Sequence, residues 1–285
     1  MAMPSSLRLP APAKLNLMLR IVGRRPDGYH LLQTVFQFLD CCDWITLAAR
    51  PDGEIRLASP LPGVPEAMDL TVRAARALQA AAGVRQGVTI TIEKRLPMGG
   101  GLGGGSSDAA TTLLGLNRLW GADLAIAELK ALGLALGADV PVFIEGAAAW
   151  AEGVGERLTP IELPEPWYVV IAPPCHVNTG VVFNAPDLTR DNPSITIADF
   201  FAGQQENHCL SVVLANYPVV AQAMDALSRY GRARLTGTGA CVFADFPGEA
   251  EAQACLRGVS PEWSALLARG LNRSPLQLAL ERLTT

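Results

Sequence analysis

The chain has 285 residues, 49% of them hydrophobic and 18% charged, and a formal net charge of −4. This is enough apolar material for one large or two ordinary domains with a substantial core, and it argues against a disordered chain. The acidic balance argues against general affinity for nucleic acid, so a polyanionic ligand has to be met by locally placed cations and backbone N–H groups.

Strong apolar alternation around Lys14 and Asn16 predicts a strand over 7–22, with these two polar residues on one face and the leucines on the other. Arg25-Pro26-Asp27-Gly28 reads as a tight turn, because proline presets φ and Asp-Gly supplies the bend. Tyr29 and His30 follow it as a pair able to stack on, and hydrogen-bond to, a planar ring. Strands are expected at 34–38, 44–49 and 54–58, and a helix over 68–82 with Asp69 near its start and Gly83 after its end. Val88–Lys94 reads as a strand, followed by helices over 109–119 and 124–136. In Gly137-Ala138-Asp139-Val140-Pro141 the valine and proline read as extended backbone, which places Asp139 at a helix-to-strand junction ahead of short strands at 142–144, 147–151 and 156–158.

Prolines at 160, 164 and 166 suggest a division into 1–160 and 161–285. The second part reads as strand 167–172, a short helix 178–183, helices at 195–202 and 207–229 with a break near Pro218, and strands framing Gly237-Thr238-Gly239-Ala240. A helix 247–256, a strand near 264–268 and a closing helix near 274–282 follow. No apolar run of about 18 residues predicts a membrane span. The six cysteines (41, 42, 175, 209, 241 and 255) form no CxxC pair and no signal peptide is evident, so a reduced, cytoplasmic protein is expected. His30, His176 and His208 lack metal-ligand spacing, which makes a zinc site improbable.

The chain is organised around Lys94-Arg95-Leu96-Pro97-Met98-Gly99-Gly100-Gly101-Leu102-Gly103-Gly104-Gly105-Ser106-Ser107-Asp108. A strand leads in, six glycines let backbone approach a ligand, and Ser106, Ser107 and Asp108 suit the first turn of a helix whose free N–H groups attract anions. This is a phosphate-binding device. Gly99, Gly101 and Gly104 also satisfy the dinucleotide pattern, but a run of six glycines satisfies many patterns, and the acidic residue closing a strand about 20 positions on is missing. No Gly-Lys-Ser/Thr occurs, which excludes a Walker A loop, and neither HRD nor DFG occurs, which excludes a protein kinase.

Pro12–Leu17, the loop Pro97–Ala110 and Leu235–Ala240 together resemble the three ordered motifs of the GHMP kinases (galactokinase, homoserine, mevalonate and phosphomevalonate kinases). The resemblance spans nearly the whole chain. It implies an α+β, two-domain fold, with an N-terminal part like domain 2 of ribosomal protein S5, a ferredoxin-like C-terminal part, and the active site in the cleft between them. It also implies ATP and Mg²⁺. Asp27–His30, Gly137–Pro141 and Gly146–Glu156 resemble the branch that phosphorylates the 2-hydroxyl of a cytidine diphosphate-linked methylerythritol in non-mevalonate isoprenoid synthesis. Homoserine or mevalonate kinases, or a non-catalytic sensor on the same scaffold, are the alternatives. By this resemblance Asp139 is the base with Lys14 beside it. The loop 97–107 and Lys94 hold the ATP phosphates, and Ser106 or Ser107 helps place the metal. Asn16, Tyr29, His30, Phe36, Thr179, Phe183, Thr238 and Gly239 bind the acceptor. The family's usual Asn-Leu is Asp69-Leu70 here, which leaves a possible adenine contact that accepts hydrogen bonds and donates none. The implied partner is one small molecule, with no nucleic acid and no membrane, acted on by a monomer or weak homodimer.

Overall fold

The structure, a computed structural model, describes residues 5–283. Its spine is a pair of long antiparallel strands, β1 (Ser6–Arg24) and β2 (His30–Arg50). The expected turn joins them, with the Gly28 N–H donating to the Arg25 carbonyl at 3.0 Å. β2 is continuous, although Asp40 to Asp43 interrupt its apolar alternation and suggest two strands. It continues because Asp43, fully buried, finds its partners inside: its carboxylate accepts the backbone N–H groups of Arg95 (2.6 Å) and Leu96 (2.8 Å). A buried polar group so satisfied costs little, and pairing goes on past it.

β3 (Ile55–Leu57), α1 (Leu70–Ala82) and β4 (Gly87–Glu93) follow, and β4 pairs with the far end of β2. α2 (Gly104–Leu119) starts five residues earlier than the helix read from sequence, since the last two loop glycines already form its first turn. It buries Ala109, Leu113 and Leu116, and approaches the spine so closely that a Cβ on Gly115 would lie 2.6 Å from Leu47 Cδ1. α3 (Ile126–Leu136) leads to α4 (Val140–Glu145), which corrects the strand expected at 142–144. Pro141 occupies the helix's first turn, where its missing N–H costs nothing, and Gly146 closes it in the left-handed conformation. Five consecutive apolar side chains fit there because Val140 to Ile144 are all buried.

β5 (Ala149–Gly153) and β6 (Arg157–Pro160) form a hairpin on the first part of β2. Beyond the prolines come β7 (Trp167–Ile171), α5 (Thr179–Asn184), α6 (Ile197–Phe201), α7 (Leu210–Asn216), and α8 (Pro218–Ser228), which starts at the expected break. β8 (Arg234–Leu235), β9 (Val242–Phe246), α9 (Glu249–Val259), β10 (Ala265–Leu271) and α10 (Pro275–Arg282) complete the described chain. The strands join in one sheet of order β3-β4-β2-β10-β7-β9-β8, with β1 and β5 also on β2. The seam is short: Gly270 and Leu271 of β10 pair with Leu39 and Phe38 of β2.

Of three apolar cores among the described residues, one straddles the expected division, with Leu15 and Val35 beside Tyr168 and Phe243, and the other two lie mainly on either side of it, each borrowing from the other part. Of these two, the first, built on Leu9, Leu47, Leu113 and Phe143, takes in Leu276 of α10; the second, built on Val169, Val213 and Val242, takes in Leu19 and Ile21 of β1. No single described helix is long and apolar enough to cross a membrane.

Candidate active site

β1 slips register against β2 between Pro12 and Lys14 and again between Asn16 and Met18. Such irregularities re-aim side chains, and here they bracket the two polar residues of the strand. Lys14 and Asn16 are 2% and 4% exposed, so they are not solvated edge residues. The Lys14 ammonium donates to Asn16 Oδ1 at 2.5 Å and to the Gly101 carbonyl at 3.0 Å, and forms an ion pair with Asp139 Oδ2 at 3.1 Å. It also sits 5.4 Å from the Phe36 ring centroid, a favourable placement for a cation. Residues 125 positions apart are thereby held as one unit. Asp139 ends on the N-terminal side of α4, its side chain about a third exposed, and Oδ1 has no partner among the described residues.

The glycine loop is pressed against the chain's third motif. Thr236 Oγ1 accepts the Asn16 N–H at 3.0 Å and donates to the Gly101 carbonyl at 3.2 Å, so one hydroxyl ties all three motifs together. Cys241 N–H donates to the Gly100 carbonyl at 3.0 Å. Gly101 has φ of +79° and a Cβ there would stand 2.5 Å from the Thr236 carbonyl; Gly103 has φ of +74° and its Cβ would meet Phe143 at 2.8 Å and Lys14 Cε at 3.0 Å. Only glycine fits either place. Gly103 is also the N-cap of α2 and makes no side-chain cap, so the N-terminus of a 16-residue helix opens into the cavity with free N–H groups. α1, by contrast, is capped by Asp69, whose Oδ1 accepts the Thr71 N–H at 2.8 Å.

Every residue expected at the site, except Ser107, borders one cavity of about 1040 Å³. Ser107 lies inside the first turn of α2, with its hydroxyl buried and unpartnered. Lys94 bridges two buried carboxylates, Asp43 and Asp108, the latter at 2.9 Å. Burial pulls Lys94 down, but the two carboxylates outweigh it and hold its pKa above the ordinary value. Asp108 is pushed up to about 7 by burial, opposed by Lys94 and reinforced by Asp43 and Asp69, and its Oδ1 has no partner.

At the opposite end, His30 stacks on Phe183 with centroids 4.9 Å apart and planes 19° apart. The stacked pair within the wall is therefore His30–Phe183, while Tyr29 stands at the rim, 61% exposed. Phe36 borders the cavity but is 1% exposed, beneath Lys14. Thr179, the first residue of α5, shares a 2.9 Å hydrogen bond with Thr238 of the third motif, and Gly239 adjoins it.

Sequence reasoning missed three supports. Asp43 anchors the start of the loop. Asn207 Nδ2 donates to the Leu235 and Gly237 carbonyls at 2.9 and 2.8 Å, bracing the third motif. Arg190 holds His30 and the end of α5. All three lie in polar stretches without a motif, and these partners are distant in sequence.

A cleft with an uncapped helix N-terminus, a glycine loop and a buried lysine paired with a partly exposed aspartate defines a small-molecule kinase, and the comparisons name its class. The GHMP kinases N terminal domain matches residues 69–147 and the GHMP kinases C terminal domain matches 194–265. The chain belongs to the GHMP kinases. It is 63% identical over 276 residues to the 4-diphosphocytidyl-2-C-methyl-D-erythritol kinase of Methylococcus capsulatus, covering 96% of this chain and 95% of that one. With the enzyme of the same name from Nitrosococcus oceani it shares 57% identity, covering 96% and 98%. A crystal structure of 4-(cytidine 5'-diphospho)-2C-methyl-D-erythritol kinase superposes with a TM-score of 0.78 at 33% identity, over 93% of this chain and 99% of that one. A mevalonate kinase superposes at 0.70 with 16% identity, a likeness of fold alone.

Proposed function

We propose that this chain is a kinase that transfers the γ-phosphoryl group of ATP to the 2-hydroxyl of 4-diphosphocytidyl-2-C-methyl-D-erythritol. The observation that carries the reading is the Lys14–Asp139 pair at 3.1 Å, held against the glycine loop in a cleft with an aromatic far end. Phosphoryl transfer asks a protein for positioning and charge compensation more than for covalent chemistry. The α2 N-terminus and the loop N–H groups bind the donor's phosphates. Asp139 Oδ1 takes the acceptor's hydroxyl proton, and Lys14 holds that carboxylate in place and faces the charge on the attacking oxygen. Thr179 and Thr238 meet the diphosphate, and the His30–Phe183 end takes the base.

The residues present fit Mg²⁺. The Ser107 hydroxyl and Asp108 Oδ1 are buried without partners at the helix N-terminus. No group of three or more His, Cys, Asp or Glu able to cage an ion occurs among the described residues, as suits an ion that keeps phosphate and water ligands. Ser106 or Ser107, with Asp108, would hold it. When bound, it neutralises charge on the phosphates.

The test is ³¹P NMR of MgATP with candidate acceptors. The cytidyl acceptor should gain one phosphate with stoichiometric ADP. Turnover of homoserine or mevalonate instead would move the chain to another branch of the family.

A further inference from the structure

His30 lies at the base-binding end, and its surroundings determine where its proton sits. Its Nε2 is 3.2 Å from Nε of Arg190. A guanidinium has no acceptor and stays protonated in proteins, so Arg190 donates and Nε2 presents a lone pair. A neutral imidazole then carries its hydrogen on Nδ1, which has no partner among the described residues, while the ring borders the cavity. Arg190 is itself held firmly. Its other nitrogens donate to the carbonyls of Leu188 (2.8 Å), Phe183 (2.8 Å) and Ala185 (2.6 Å), so the guanidinium cannot swing away from the histidine without breaking all three.

The ring's orientation decides what that donor meets. The imidazole is within 19° of parallel to Phe183, so a base lying on the same face of Phe183, beside the imidazole, is coplanar with it. The Nδ1 hydrogen then meets the base edge-on. The edge of a pyrimidine away from its sugar carries N3, an acceptor in cytosine and an N–H donor in uracil.

We propose that Arg190 is a positioning residue that locks His30 as its Nδ1–H tautomer, and that this lock makes the pocket select cytosine over uracil through N3. The proposal rests on the cytidyl reading above. Charge supports it: burial, then Arg190 and Arg24, lower the His30 pKa. The cations facing the ring come from the segment after α5 and from the end of β1, while Asp27 borders the same cavity from the turn. Doubly protonating the ring would set its Nε2–H against the Arg190 N–H.

The test uses the full chain, Arg190→Met and Arg190→Lys. Long-range ¹H–¹⁵N spectra of the ligand-free protein, with His30 assigned through His30→Gln, should show a neutral Nδ1–H ring at pH 7 in the wild type and in Arg190→Lys. In Arg190→Met, Nε2–H should appear. The ratio of kcat/KM for cytidine- over uridine-diphosphate-linked methylerythritol should be about 100 or more in the wild type, since a site built for one hydrogen bond rejects the partner that clashes with it. It should fall about tenfold or more in Arg190→Met, through the acceptor KM with the ATP KM unchanged, and recover in Arg190→Lys. A wild-type ring that is Nε2–H or doubly protonated overturns the lock. An Arg190→Met variant with tautomer and preference intact would reduce Arg190 to a cap for α5. If the wild type phosphorylates neither nucleotide-linked acceptor, the functional reading falls and base selection with it, while the spectrum still decides the tautomer.

Discussion

Replacing Asp139 with asparagine keeps the side chain's shape and removes its ability to take a proton. In the folded protein its partner is Lys14, 3.1 Å away and 2% exposed. At that distance two unit charges attract by about 5 kcal/mol for an effective dielectric near 20. Asp139 is a third exposed, so screening reduces the net contribution to about 1–2 kcal/mol, a fall in Tm of roughly 2–8 °C. The catalytic loss should be far larger, about 10²–10⁴ in kcat, because general-base assistance of that size disappears. Lys14→Met should lose as much and destabilise more, since Asn16 Oδ1 and the Gly101 carbonyl lose their donor as well. Residues that act as one unit do not lose activity additively, so the double variant should be no slower than the slower single one within about tenfold. ADP release at saturating MgATP gives kcat, and calorimetry should find ATP affinity within about threefold of wild type for Asp139→Asn. Activity within tenfold of wild type in Asp139→Asn, or losses that multiply in the double variant, would refute the assigned roles.

Gly103→Ala places a Cβ at φ +74° within 2.8 Å of Phe143 and 3.0 Å of Lys14 Cε; it should cost about 1–2 kcal/mol from the backbone alone and lower kcat further by displacing the lysine, as thermal melts and turnover together will read. Asp43→Asn leaves Lys94 with one carboxylate fewer and two backbone N–H groups facing a partly mismatched amide; a loss of about 3–5 kcal/mol is expected, visible as a lower midpoint in urea unfolding. Asp108, with its pKa pushed up to about 7, binds its proton more tightly folded than unfolded, so its ionisation erodes stability as pH rises from about 4 to about 7. Asp108→Asn removes that term, so the Tm of the variant relative to wild type should rise between pH 5 and pH 8; a constant difference would contradict it. Burial pushes the Cys209 and Cys241 thiols up to about 12, and iodoacetamide at pH 8 should modify them only on unfolding.

The three motifs were legible because their chemistry is local: glycines where backbone must press on backbone, and a lysine and an aspartate beside them. Most elements followed from periodicity. The failures have physical causes. At Val140–Ile144 a run of β-branched and apolar residues read as strand, but tertiary burial on all sides and a proline in the first turn made it a helix. At Asp40–Asp43 polar residues read as a break, but a carboxylate satisfied by another segment's N–H groups let the strand run on. The His30–Phe183 stack was not legible: the sequence marks both as acceptor contacts, but only the fold brings the two rings together. Arg190 sits 160 residues from the histidine it holds, in a polar stretch with no periodicity to mark it.

The return of α10 to the first core bears on how the protein is made. Leu276 is fully buried there, and Leu271, Ala279 and Leu280 pack beside it, against a core begun at Leu7 and Leu9. A chain emerging from the ribosome folds N-terminal units first where it can, yet here the first core keeps an open apolar face until α10 has been synthesised. A message truncated just before α10 would release a protein with all three motifs intact and an unfinished first core. Such a product should be cleared by proteolysis before it ever binds nucleotide.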